Sequence, residues 1–251
     1  MKKIIVLNKK EGETPLEALE EFRRKHQGYK EAKMTYAGRL DPMANGVLLV
    51  LAGEEVKNKE KYLGLDKEYE FEVLFGAATD TYDILGKISH SNILKNIKMS
   101  ELEKLTKKNL KFFIGKFTQA YPAYSSKTVK GKPLFQYARD GKGVETQTRE
   151  IIVKKLKFLK IRKINSNKLL ANVHKRISKV RGDFRQEEIL NMWDKFLGGE
   201  SREYFIASFK VKCGSGTYVR GIAHSLGEKV GVPALAYSIN RTKVGKFGKM
   251  S

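Results

Sequence analysis

Fifty Lys and Arg stand against 28 Asp and Glu in 251 residues, a formal charge of +22, with 41% hydrophobic residues and only 22 Gly and 5 Pro. The apolar fraction excludes wholesale disorder, and the glycine and proline counts exclude collagen-like and low-complexity chains. One cysteine, Cys213, excludes an internal disulfide, and His26, His90, His174 and His224 lack zinc-site spacing, so a reduced, metal-free protein is expected. The longest apolar run, residues 47–52, is far below the roughly 20 residues that span a bilayer. Ile4 to Leu7 is too short for a secretory signal, and the expected location is the cytoplasm, away from membranes. A charge excess of this size points to a polyanionic partner, because Lys and Arg displace counterions condensed on nucleic acid.

Residues Lys3 to Leu7 read as a short strand, and Thr14-Pro15-Leu16-Glu17 as a capping box opening a helix through about Lys25. Thr35 to Gly46, punctuated by Gly38, Pro42 and Gly46, reads as a loop feeding the buried strand Val47 to Leu51. Tyr69, Phe71, Val73 and Phe75 alternate with other residues at the period of a half-buried strand, and the turn-like Gly76 to Asp83 makes this a hairpin candidate. Ser100-Glu101-Leu102-Glu103 repeats the capping-box pattern before a helix. A polar loop, Thr118 to Lys132, leads to a short helix at Pro133 to Arg139. Further strands are expected at Arg149 to Ile164, Leu169 to Val173 and Glu203 to Cys213, with a helix near Phe184 to Leu197. Strands in succession without regular helical crossovers indicate an α+β fold on a largely antiparallel sheet. No repeat or linker divides residues 1–251, which read as a single catalytic domain with insertions.

Asp41 is the most informative carboxylate, since Gly38-Arg39-Leu40-Asp41-Pro42 places it on a rigid loop before buried chain. By itself Asp-Pro is also a common turn. Tyr69 shares the period of Phe71 and Val73, as an ordinary core aromatic would. Gly214 to Arg220 forms a small-residue turn into a helix whose first turn holds Arg220. The helix dipole disfavours a cation there, so a carboxylate or phosphate partner explains it better than solvent. Tyr121, Tyr124, Lys127, Lys130 and Lys132 interleave aromatics with cations, a surface suited to stacking bases and neutralising phosphates, though equally to solvation.

Together these segments resemble the bacterial tRNA pseudouridine synthase B family. The family's Gly-x-Leu-Asp-Pro-x-Ala-x-Gly-Val-Leu loop matches Gly38 to Leu48, and its Lys-x-Tyr strand matches Lys67-Glu68-Tyr69. Further matches are Pro122 to Ser125, Gly131 to Gly141, Gly216 to Arg220 and Arg241 to Phe247. The resemblance implies a pseudouridine synthase fold and isomerisation of the T-loop uridine at tRNA position 55, with no redox cofactor. It implies Asp41 as nucleophile, attacking either the uracil ring or the sugar C1′. Tyr69 would stack on the base and later take the C5 proton, and Arg220 would hold the carboxylate ionised. Lys9, Tyr36, Arg39, Ile239, Tyr124 and Lys130 make up the implied substrate-binding set, Ile239 closing the apolar floor.

Several positions depart from the family pattern. Tyr36 stands where relatives carry a histidine, Lys10 where they carry a proline, and Arg39-Leu40-Asp41 also resembles synthases that modify ribosomal RNA. The chain ends four residues after Phe247, where many relatives continue into a small RNA-binding domain, so that domain is expected to be absent. The expected partner is the tRNA T-arm, without an obligate protein partner. The alternatives are a ribosomal RNA synthase and a non-catalytic tRNA-binding or tRNA-folding protein, against which an intact Asp41, Tyr69 and Arg220 argue.

Overall fold

The structure, a computed structural model, describes residues 2–91, 97–199 and 201–248. The chain opens with β1 (Ile4–Lys9) and α1 (Pro15–Lys25). Thr14 and Glu17 make the reciprocal capping bonds that their spacing suggests, at 3.2 and 2.7 Å. β2 (Met34–Ala37) and β3 (Ala44–Ala52) flank the Asp41 loop, and α2 (Lys59–Leu63) precedes β4 (Lys67–Phe75). A short ribbon of β5 (Ala77–Thr79) and β6 (Ile88–Ser91) follows, then α3 (Met99–Asn109) and β7 (Gly115–Ala120). The next arm carries the two-residue strands β8 (Thr128–Val129) and β9 (Lys132–Pro133) and the helix α4 (Leu134–Arg139). The long β10 (Thr148–Asn165) leads into α5 (Ser166–Ile177) and α6 (Gln186–Leu197). β11 (Glu203–Cys213), α7 (Val219–Val230), β12 (Ala234–Val244) and β13 (Phe247–Gly248) complete the described chain.

A nine-stranded sheet runs β1-β3-β12-β4-β11-β10-β7, with β2 on β3 and β13 on β12. Its pairings are antiparallel except β3 with β12, which is parallel through Ile239↔Ala44 and Arg241↔Gly46. The expected α+β, largely antiparallel mixed sheet is therefore what forms. Alternation along the strands splits the apolar residues between two faces. Phe71, Val73, Phe209 and Val211 pack under α7 through Val219, Ile222 and Leu226, while Leu74, Ile206 and Leu235 pack under α5 and α6 through Val173, Ile177 and Trp193. β3 divides likewise, Leu48 and Val50 meeting α1 and Val47 and Leu49 meeting the opposite side.

Several expectations are corrected. Residues 169–173 lie inside α5, because Leu169, Val173 and Ile177 recur at a helical interval and Asn165 caps the helix from its side chain. Ser100 makes no capping box: the N-cap lies two residues earlier, at Lys98, which is extended and lacks a side-chain bond. β4 is not half of a local hairpin; its partners are β11 and β12, and Gly76 turns the chain into β5. The expected loops are also partly strand, Thr35 to Ala37 belonging to β2 and Thr118 to Ala120 to β7. Among the described residues no helix is long and apolar enough to cross a membrane.

Candidate active site

The loop that holds Asp41 has no strand partner for its carbonyls, and buried cations supply the missing donors. Arg241, 1% exposed on β12, donates from Nε to the Val47 carbonyl at 2.7 Å and from its terminal nitrogens to Gly38 and Arg39 at 3.1 and 3.2 Å. From the other side the Lys9 ammonium donates to the carbonyls of Ala44, Lys10 and Pro42 at 2.5, 2.9 and 3.2 Å. Gly46 permits the close β3–β12 approach: its φ is +107°, and a Cβ would lie 2.2 Å from the Arg241 carbonyl oxygen. The expectation that Lys9 contacts substrate is thereby corrected. Lys9 is fully buried with its donors occupied, so it braces the loop. Burial lowers its pKa to about 8, against the pull of Glu13 and Asp41.

Arg220 is aimed by an equally specific local structure. Gln119 on β7 clamps the start of α7, donating to the Tyr218 carbonyl and accepting from its N–H, both at 2.9 Å. Arg220, 3% exposed, then donates from Nε to Asp41 Oδ2 at 2.8 Å and from its terminal nitrogens to the carbonyls of Thr81 and Tyr124 at 2.5 and 2.8 Å. The first-turn cation has the carboxylate partner that the helix dipole called for. Asp41 keeps 37% of its side chain exposed, so the pair presents an open carboxylate over a buried guanidinium. Burial opposes the Arg220 charge, but Asp41 and Asp83 outweigh it and its pKa lies above the ordinary value. Asp83 is buried nearby, its Oδ1 accepting from the Thr81 hydroxyl at 2.8 Å and the Leu85 N–H at 3.0 Å. Burial pushes Asp83 up to about 6 despite Arg220.

The pair opens into a cleft of about 970 Å³ lined by Tyr36, Arg39, Tyr69, Tyr124, Arg149 and Ile239, among others. That volume suits a small molecule or an extruded base with its sugar and phosphates. Tyr69 and Ile239 are buried and lie on the α7-facing side of β4 and β12. Burial raises the Tyr69 phenol, and the nearby Arg241 guanidinium works the other way. Arg39 is exposed, and its guanidinium makes no hydrogen bond or ion pair among the described residues. Lys130 is not brought to the cleft; it sits exposed in the turn between β8 and β9, at φ +47°.

A family model described as TruB family pseudouridylate synthase (N terminal domain) matches residues 24–182. The chain belongs to the TruB family. Relatives named tRNA pseudouridine synthase B include that of Protochlamydia amoebophila (strain UWE25), 31% identical over 97% of this chain and 74% of that protein. Another, from Geobacillus thermodenitrificans (strain NG80-2), is 32% identical over 97% of this chain and 67% of its own length. Among solved structures, a Cbf5–Nop10–Gar1 complex matches with TM-score 0.57 and 19% identity, covering 98% of this chain and 50% of the matched one. An H/ACA ribonucleoprotein bound to a substrate RNA containing 2′-deoxyuridine matches with TM-score 0.55 and 17% identity, over 98% and 49%. These likenesses establish a shared fold.

Several site groups of this TruB chain escaped the residue reading. Arg241 and Tyr218 sat in recognisable motifs without an assigned role, and Arg149 becomes legible through Gly216, whose Cβ would fall 1.8 Å from the Arg149 guanidinium. Arg185 carried no local signal, because its partners Asp80 and Tyr124 are assembled only by the tertiary fold, and Asp83, bonded locally to Thr81 and Leu85, read as part of a turn.

Proposed function

We propose that this TruB family protein converts the T-loop uridine of tRNA, position 55, to pseudouridine in the cytoplasm, with Asp41 as nucleophile and residues 1–251 acting as one catalytic domain. The observation that carries the reading is the half-open Asp41 carboxylate held at 2.8 Å by buried Arg220 beside Tyr69. In this reaction the N1–C1′ bond breaks, C5 bonds to C1′, the C5 proton is lost and N1 gains one, so composition and oxidation state are unchanged. The chemistry calls for a positioned carboxylate nucleophile in a partly dry pocket, and the buried Arg220 guanidinium holds Asp41 there at 2.8 Å. Asp41 can attack the ring or C1′.

Tyr69 provides a buried face for the turned-out base, and Ile239 an apolar floor beside it. Burial raises the Tyr69 phenol against the opposing pull of Arg241, so Tyr69 can take the C5 proton only after passing its own to another group. Extruding the base costs a few kcal/mol. Contacts from exposed Arg39 and Lys130 to phosphates, with stacking by Tyr36 and Tyr124, offset that cost.

The test is pseudouridine mapping on an unmodified tRNA transcript incubated with the purified protein alone, beside Asp41→Asn. The expected outcome is conversion at the T-loop uridine by the wild type, a turnover loss on the order of 10⁴-fold or more in the variant, and unchanged tRNA affinity. Conversion by Asp41→Asn at the wild-type rate would remove the nucleophile assignment. Conversion confined to ribosomal RNA fragments would reassign the substrate.

A further inference from the structure

Between β10 and β11 the chain makes an excursion through α5 and α6, and its turn, residues 183–185, forms one wall of the cleft. Arg185 stands there as the N-cap of α6 with φ +63°, a left-handed backbone that a non-glycine residue adopts only when its surroundings demand it. Its side chain is 17% exposed, and both terminal nitrogens are engaged. One terminal nitrogen donates to Asp80 Oδ2 at 2.7 Å and to the Tyr124 hydroxyl at 2.6 Å, and the guanidinium lies 4.2 Å from the centre of the Tyr124 ring. The excursion is tied to the same wall twice more: Arg139 donates to the Asp183 carbonyl at 2.6 Å, and Trp193 donates to the Ile84 carbonyl at 3.2 Å.

Two arginines therefore grip the same two segments from different sides. Arg220 holds residues 81 and 124 by their backbone carbonyls, while Arg185 holds residues 80 and 124 by their side chains. Arg220 reaches Asp41 through Nε, and the direction of Nε follows from where the two carbonyls hold the rest of the guanidinium. We propose that Arg185 is a positioning residue for the isomerisation: by locking Asp80 and Tyr124 it fixes the two carbonyls that orient Arg220 toward Asp41. A phosphate contact is the weaker assignment, because the Arg185 charge is already answered by Asp80. The inference rests on the proposed function.

The experiment measures single-turnover pseudouridine formation on unmodified tRNA transcript and tRNA affinity at one salt concentration, for wild type, Arg185→Met, Arg185→Lys, Asp80→Asn and the Arg185→Met/Asp80→Asn pair. Expected are a rate loss of about 10- to 100-fold in Arg185→Met, affinity within about twofold, partial recovery in Arg185→Lys, and a double variant no slower than Arg185→Met alone. A wild-type rate in Arg185→Met overturns the inference, as does weakened affinity at an unchanged single-turnover rate or full additivity in the double variant. Should Arg185→Met fail to fold, Tyr124→Phe, which deletes only the hydroxyl, carries the same split between rate and affinity. A wild type that forms no pseudouridine overturns the proposed function and this inference with it; an active wild type beside an equally fast Arg185→Met overturns this inference alone.

Discussion

The loop around Asp41 and the arm of residues 121–147 are both largely irregular and both furnished with cations, but the cations face opposite ways. Beside Asp41, Lys9 and Arg241 are buried and donate inward to carbonyls of the loop and of the first residues of β3. In the arm, Lys127 and Lys130 are exposed, and the Lys127 ammonium lies 5.6 Å from the centre of the Tyr121 ring. The first arrangement immobilises a reactive group, and the second leaves charge free for a polyanion. Net charge alone does not distinguish them, although both contribute to the same +22.

The sharpest way to break this contrast is Arg241→Met. The substitution removes the charge and leaves the carbonyls of Val47, Gly38 and Arg39 without that donor, at about 1–3 kcal/mol for each buried group left unsatisfied, and at about 2–4 °C per kcal/mol for a chain of this size the melting temperature should fall by roughly 10 °C. A shift below a degree or two would mean that the loop holds itself. Lys9→Met tests the second brace through pH. Lys9 titrates near 8 when folded against 10.5 unfolded, so its contribution is present above 10.5 and is lost as pH falls through 8. The melting temperature of wild type relative to Lys9→Met should therefore rise between pH 7 and 10; a falling difference would contradict the burial.

Asp83 has the opposite sign. Its folded value near 6 lies above the ordinary 3.8, so its contribution is full below 3.8 and is lost as pH rises through 6. Scanning calorimetry from pH 4.5 to 7 should show wild type losing ground to Asp83→Asn. The smallest effect belongs to the outward cations: Lys130→Ala should weaken tRNA binding about two- to fivefold and reduce the salt-dependence slope by about 1, leaving single-turnover rate intact. A slope unchanged by that substitution would make the arm's charge a matter of solubility.

How much of this was legible depended on whether the signal was local. β11 was read at its observed bounds because Tyr204 to Val211 alternate or run apolar without interruption, and Asp41 stood out because Gly38, Pro42 and Gly46 bracket it before β3. β12 gave no strand signal, since Tyr237, Ser238, Asn240 and Arg241 interrupt its apolar pattern, and Arg241 points inward against the usual preference of its type. Lys9, expected to meet substrate, has acceptors at Pro42 and Ala44, 33 and 35 residues away, which no local pattern reveals. The strand reading of 169–173 came from a window shorter than two helical turns, in which the two periods are hard to separate. Arg185 could not be found, because Asp80 and Tyr124 lie 105 and 61 residues away along the chain.

Arg220 has a consequence for the order in which the molecule becomes competent. Its three acceptors come from segments 179, 139 and 96 residues distant, so the catalytic geometry has very high local contact order. Each closure carries an entropic cost that is recovered only when the others are in place. The centre is thus complete only when all three closures are made, whereas the lysines of the surface carry their charge from the moment they are synthesised. A chain part-way through folding can already attract RNA electrostatically, and it gains the means to rearrange a uridine only when α7 docks.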